Sequence, residues 1–136
     1  MEKCLEKQNQ NKIPTILYVE DHWESIKLLN LYLRNKFNIL SADSMQSAIN
    51  ILENNSVSLI LMDISLRNNE DGIQLTKKIK ADNRYRDLPV IALTAYSLRR
   101  DKENFIAAGM IDCVTKPIIV EELIYKINET LSQLAN

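Results

Sequence analysis

The sequence predicts a three-layer α/β fold, an open, doubly wound (βα)5 parallel sheet. Five short apolar runs rich in branched residues alternate with longer segments of helical period. Those runs are apolar almost throughout rather than at every second position, so strands formed from them must be covered on both faces. Helices of this length between strands usually join parallel neighbours through right-handed crossovers. A chain of 136 residues that is 46% hydrophobic suits one ordinary core and is too short for two typical domains.

Taken in order, residues 1–12, MEKCLEKQNQNK, are nearly all polar and read as a tail or short linker, with the domain expected over 13–136. The predicted strands are TILYV (15–19), FNILSA (37–42), LILMD (59–63), PVIALT (89–94) and IDCVT (111–115). Ile26, Leu29 and Leu33 support a helix over about 23–35. Met45, Ala48, Ile49 and Leu52 follow the i, i+3, i+4, i+7 spacing of a second. Leu75 and Ile79 support a third, from Gly72 to about Ala81. The fourth, from Ser97 to Ala108, has the weakest apolar stripe, and Leu123, Ile127, Leu131 and Leu134 keep one face apolar to the C-terminus.

Composition narrows the function classes. With 17 basic and 18 acidic residues spread along the chain and a net charge of -1, no nucleic-acid-binding footprint is visible, and a protein or small-molecule partner is expected. No apolar run approaches the ~20 residues of a membrane helix, and the N-terminus has no apolar signal core. Cys4 and Cys113 form neither a metal-ligand spacing nor a disulfide framework. The expected setting is therefore a reducing cytoplasm, without membrane insertion. Because the chain stops two residues after Leu134, no DNA-binding or catalytic output module is expected within it.

In open parallel sheets the functional crevice lies beyond the carboxyl ends of the strands. Glu20 and Asp21 follow the first predicted strand, Asp63 ends the third, Thr94 ends the fourth, and Lys116 with Pro117 follows the fifth. A parallel sheet would bring three carboxylates, a hydroxyl and an ammonium to one edge. Three close carboxylates repel one another unless a cation neutralises them, and Mg2+ takes one or two carboxylates while leaving positions for water and phosphate oxygens. Asp63 would then be free to act as a nucleophile towards a phosphoryl group, with Lys116 and the Thr94 hydroxyl stabilising charge on its oxygens.

At this point the sequence resembles the response-regulator receiver family of two-component signalling, whose domains stand alone or are fused in hybrid histidine kinases. The resemblance runs from about Ile13 to Leu134 and rests on the acidic pair in YVED, the acceptor in LILMDISL, the ALTA segment with Thr94 and Ala95, and VTKPI. It implies that Asp63 is the phosphoacceptor, and that Glu20, Asp21, Asp63 and the Ser65 carbonyl hold Mg2+ (or Mn2+). It also implies that Thr94 and Lys116 contact the phosphoryl group, that the Lys116–Pro117 peptide is cis, and that the donor is a histidine kinase or histidine phosphotransfer protein. The first helix, with His22, Trp23, Ser25 and Ile26 near its start, is the expected dock for that donor. The helix from Ser97, the last strand and the final helix are the expected phosphorylation-sensitive surface.

Three departures stand out. Leu66 and Arg67 occupy the place of a common Met-Pro pair, and the loop from Asn68 to Gly72 is one residue longer. Cys113 stands where an aromatic rotamer switch is usual, and Tyr96 lies two residues after Thr94, where the family tunes phosphoryl lifetime.

Structural roles compete for each residue. Glu20, Asp21 or Thr94 could cap a following helix, Asp63 alone could be a loop acid, and Lys116 a solvated charge beside a turn proline. His22 reads as an exposed first-turn residue, Cys113 as a small buried apolar one, and Trp23 and Tyr32 as packing or docking groups. A haloacid-dehalogenase-like phosphatase also uses Asp, Thr, Lys and Mg2+, but with Asp-x-Asp on its first strand. A flavodoxin-like electron carrier shares the fold, but Glu20 and Asp21 would repel the phosphate its first loop cradles. A degenerate, purely structural receiver would lack one of Asp21, Asp63 or Lys116.

Overall fold

The computed structural model describes residues 13–66, 71–95 and 98–135. The chain alternates strand and helix: β1 (Thr15–Val19), α1 (Trp23–Leu33), β2 (Asn38–Ala42), α2 (Met45–Asn54), β3 (Leu59–Asp63), α3 (Gly72–Lys80), a 3₁₀ turn (Asn83–Tyr85), β4 (Val90–Thr94), α4 (Arg99–Ala107), β5 (Asp112–Thr115) and α5 (Val120–Ala135). All strand pairings are parallel, in the order β2-β1-β3-β4-β5. This is the predicted doubly wound sheet. Segment 1–12 lies outside the described residues.

Strand parity sorts the core. On β1, Leu17 and Val19 join Leu52 of α2 and Leu75 of α3 on one side of the sheet. Ile16 and Tyr18 join Leu29 of α1 and Leu123 of α5 on the other. Residues of β3 and β4 are buried on both faces, which is why their sequences read as unbroken apolar runs.

Local signals explain the helix starts. Ser44 and Ser47 form a reciprocal capping box at the head of α2, each side chain accepting from the other's main-chain N–H at 3.1 Å. The Asp71 carboxylate accepts from the Ile73 N–H at 2.7 Å and starts α3. In α4 Phe105 is the buried residue, in keeping with its weak stripe. Gly109 follows at φ 107, a conformation that side chains with a Cβ rarely adopt, and turns the chain into β5. No helix among the described residues is long and apolar enough to cross a membrane.

Candidate functional site

The four strands that carry chemistry at their ends are adjacent in the sheet, β1-β3-β4-β5. Register then decides what meets. Val19 lies opposite Met62, Asp63 opposite Leu93, and Thr94 opposite Thr115, so residues 20, 63, 94 and 116 fall on one edge. They line a cavity of about 370 Å³, whose wall Asp21, Ser65, His22 and Ser25 help to complete. Glu20, Asp63 and Thr94 are 2%, 4% and 2% exposed, so their polar ends are held at the floor of the cavity and not in open solvent.

Glu20, Asp21 and Asp63 each offer a carboxylate oxygen within 4.8 Å of the others. The Lys116 ammonium lies 3.1 Å from Asp63 Oδ1 and 3.7 Å from Glu20 Oε1. By these two contacts the Lys116 ammonium faces two of the three carboxyl groups. Burial, followed by the hydrogen bond and charge of Asp63, pushes the Glu20 carboxyl up to about 7 against the opposing pull of Lys116 and the Tyr18 hydroxyl. Burial and the Glu20 charge in turn hold the Tyr18 phenol well above its usual range. Hard oxygen donors, grouped closely and partly buried, are what a divalent cation such as Mg2+ takes, and the residues present fit one.

Each sequence-predicted site residue is in or at this cavity. The Ser65 N–H donates to Asp63 Oδ1 at 3.4 Å, and Ser65 bridges to Asp71, which ties the loop after β3 to the start of α3. The Lys116–Pro117 peptide is cis. Helix capping does not account for the acidic pair or for Thr94, because His22 and Leu98 occupy the N-cap positions of α1 and α4. His22 is exposed, as expected. Cys113 is half-buried rather than buried, packed at the margin of the core on the α2–α3 side. Trp23 and Tyr32 are exposed on α1. Arg67 to Glu70, Tyr96 and Ser97 lie outside the described residues.

Two residues of the site were missed in the sequence. Tyr18 donates its buried hydroxyl to Glu20 Oε1 at 3.2 Å, yet in TILYV it reads as one more core residue. Gly72, whose N–H donates to Ile64 O at 3.0 Å, brings the head of α3 against the backbone of Asp63. An isolated glycine before a helical pattern was the available signal.

Comparison with known proteins agrees with this geometry. The family model described as response regulator receiver domain matches residues 16–128. The chain is 36% identical over 131 residues to the heme response regulator HssR of Staphylococcus haemolyticus, covering 96% of this chain and 52% of that protein. The chain thus spans about half the length of this relative. A two-component response regulator from Clostridium difficile superposes with a TM-score of 0.82 at 25% identity, covering 90% of this chain and 99% of that one. The receiver domain of the sensor histidine kinase PA1611 from Pseudomonas aeruginosa, solved with a magnesium ion in its active-site cleft, superposes with a TM-score of 0.79 at 31% identity, covering 89% and 99%. Matched over most of its length and folded in the same way, the chain belongs to the response regulator receiver domain family of two-component systems.

Proposed function

We propose that this domain accepts a phosphoryl group on Asp63 from a phosphohistidine donor, a histidine kinase or histidine phosphotransfer protein, and signals through protein contacts. The observation that carries this reading is the Lys116 ammonium 3.1 Å from Asp63 Oδ1, with the Glu20 and Asp21 carboxylates grouped beside it. The proposed receiver unit covers 13–136, supported by the family match over 16–128.

Glu20, Asp21, Asp63 and the Ser65 carbonyl would hold Mg2+ or Mn2+. Bound there, the cation supplies positive charge that offsets the carboxylates and the phosphoryl oxygens. An Asp63 carboxylate oxygen attacks phosphorus, and as the new O–P bond forms the P–N bond breaks, its electron pair returning to the donor imidazole. Lys116 and the Thr94 hydroxyl stabilise charge on the transferring oxygens, their positions fixed by the ends of β5 and β4. The domain is thus a self-phosphorylating switch in place of an enzyme with turnover on a separate substrate. The similar PA1611 receiver, which is part of a sensor histidine kinase, supports this partner class. A net charge of -1 gives no electrostatic route to nucleic acid.

Intact mass before and after acetyl phosphate, with Mg2+ and with chelator, tests the proposal. One phosphoryl mass should appear with Mg2+ alone and vanish in Asp63→Asn. Equal labelling of that variant, or full labelling in chelator, would sink it.

A further inference from the structure

One buried polar group beside the acidic cluster has no part in the transfer step: the phenol of Tyr18. It stands on β1 two residues before Glu20, whose N–H still pairs with Ala42 O just past the strand, so the extended alternation puts both side chains on the same face. Its ring is packed among the apolar residues beneath α1 and α5, 3% exposed, and takes no part in lining the cavity. The hydroxyl nevertheless reaches the site and donates to Glu20 Oε1 at 3.2 Å. The second oxygen of the same carboxylate accepts from the Asp21 main-chain N–H, also at 3.2 Å. Each Glu20 oxygen therefore has its own fixed donor, one from the core and one from the chain.

From this geometry we infer that Tyr18 is a positioning residue for the divalent-cation site, holding the Glu20 carboxylate in place beside Asp21 and Asp63. The inference rests on the cation reading above. Glu20 has the longest side chain of the three acids, and repulsion from two carboxylates within 4.8 Å favours rotating it away from them. Lys116 holds Oε1 only at 3.7 Å, and its closer contact is with Asp63 at 3.1 Å. A phenol anchored in the core is a donor of fixed direction with a single proton, and here that proton is given to Glu20. Metal-ligating carboxylates depend on such outer hydrogen bonds, and losing one costs roughly 10–100-fold in metal affinity. The packing of α1 and α5 around the Tyr18 ring thereby sets the geometry of a ligand at the sheet edge.

Calorimetric titration of the full chain with Mg2+ alone tests this, using the parent, Tyr18→Phe, Glu20→Ala and the double variant. Tyr18→Phe keeps the ring and the packing, and should weaken Mg2+ binding by about tenfold or more. In the Glu20→Ala background the same substitution should cost nothing further, a dependence that a merely structural role would not produce. Parent-like affinity in Tyr18→Phe, or an equal loss in both backgrounds, would overturn the inference while leaving the cation reading intact. A parent that binds no Mg2+ would overturn both.

Discussion

Gly72 packs against the main chain of Asp63 so closely that a β-carbon at residue 72 would lie 2.3 Å from the Asp63 carbonyl oxygen and 2.9 Å from Met62 Cγ. The first contact is with backbone, so no side-chain rotation can relieve it. Gly72→Ala should push the head of α3 away from β3 and move Asp63 with it. The expected outcome is a loss of about 1–3 kcal/mol in urea unfolding together with slower acyl-phosphate labelling. Parent-like labelling at reduced stability would show that the acceptor tolerates the shift.

Lys116 faces Asp63 and Glu20 and counters their charge. Its removal leaves the acidic cluster more negative, so Lys116→Ala should keep or tighten Mg2+ binding. The same variant should slow labelling by about tenfold or more, through loss of a charged donor to the transferring oxygens. Calorimetry and mass spectrometry on one preparation separate the two effects. Loss of Mg2+ binding would argue that Lys116 orders the site and does not act on phosphate.

Glu20 gives the metal-free domain a pH-dependent stability. Its folded value of about 7 lies above its ordinary 4.5, so between the two the unfolded chain has released a proton that the folded chain still holds. Stability is therefore fully present below the ordinary value and falls as pH rises towards about 7. Urea unfolding in chelator should show that fall, Glu20→Gln should flatten it, and added Mg2+ should restore most stability at neutral pH and above. A parent curve that rises through the same window would contradict the assignment.

Away from the site, the Lys80 ammonium donates to the carbonyls of Tyr85 at 3.5 Å and Arg86 at 3.0 Å, and also to that of Leu88. It clips the segment between α3 and β4 to the helix end. Burial lowers its pKa, and the Asp87 charge acts in the opposite sense. Lys80→Met preserves the stem but removes the ammonium from these carbonyls, and should cost about 1–3 kcal/mol in urea unfolding with an unchanged labelling rate. An altered labelling rate would connect this loop to the acceptor.

The strands and the site were legible in the sequence for a common reason. Burial on both faces erases alternation, so LILMD and PVIALT stand out, and their first polar residues, Asp63 and Thr94, mark the edge of the candidate site. Helix ends were less legible. The first helix stops at Leu33 and the third at Lys80, each short of the expected boundary, because no glycine follows either helix and the last turn gives no periodic signal. Two contacts carried no signature, and a third had only an isolated glycine to mark it. The Tyr18 hydroxyl hides in an apolar run, Lys80 reads as a solvated last-turn charge, and Gly72 shows its close approach only once β3 and α3 are placed together.

The sheet also divides the molecule energetically. Among the described residues none belongs to both apolar clusters, and each strand hands its odd and even positions to opposite sides. Truncations on opposite sides, such as Leu52→Ala with Ile127→Ala, should therefore add to within about 0.5 kcal/mol, whereas neighbours within one cluster should interact. Each half of the interior is thus free to accumulate substitutions without regard to the other, and the parity of a position along its strand tells which half will feel the change.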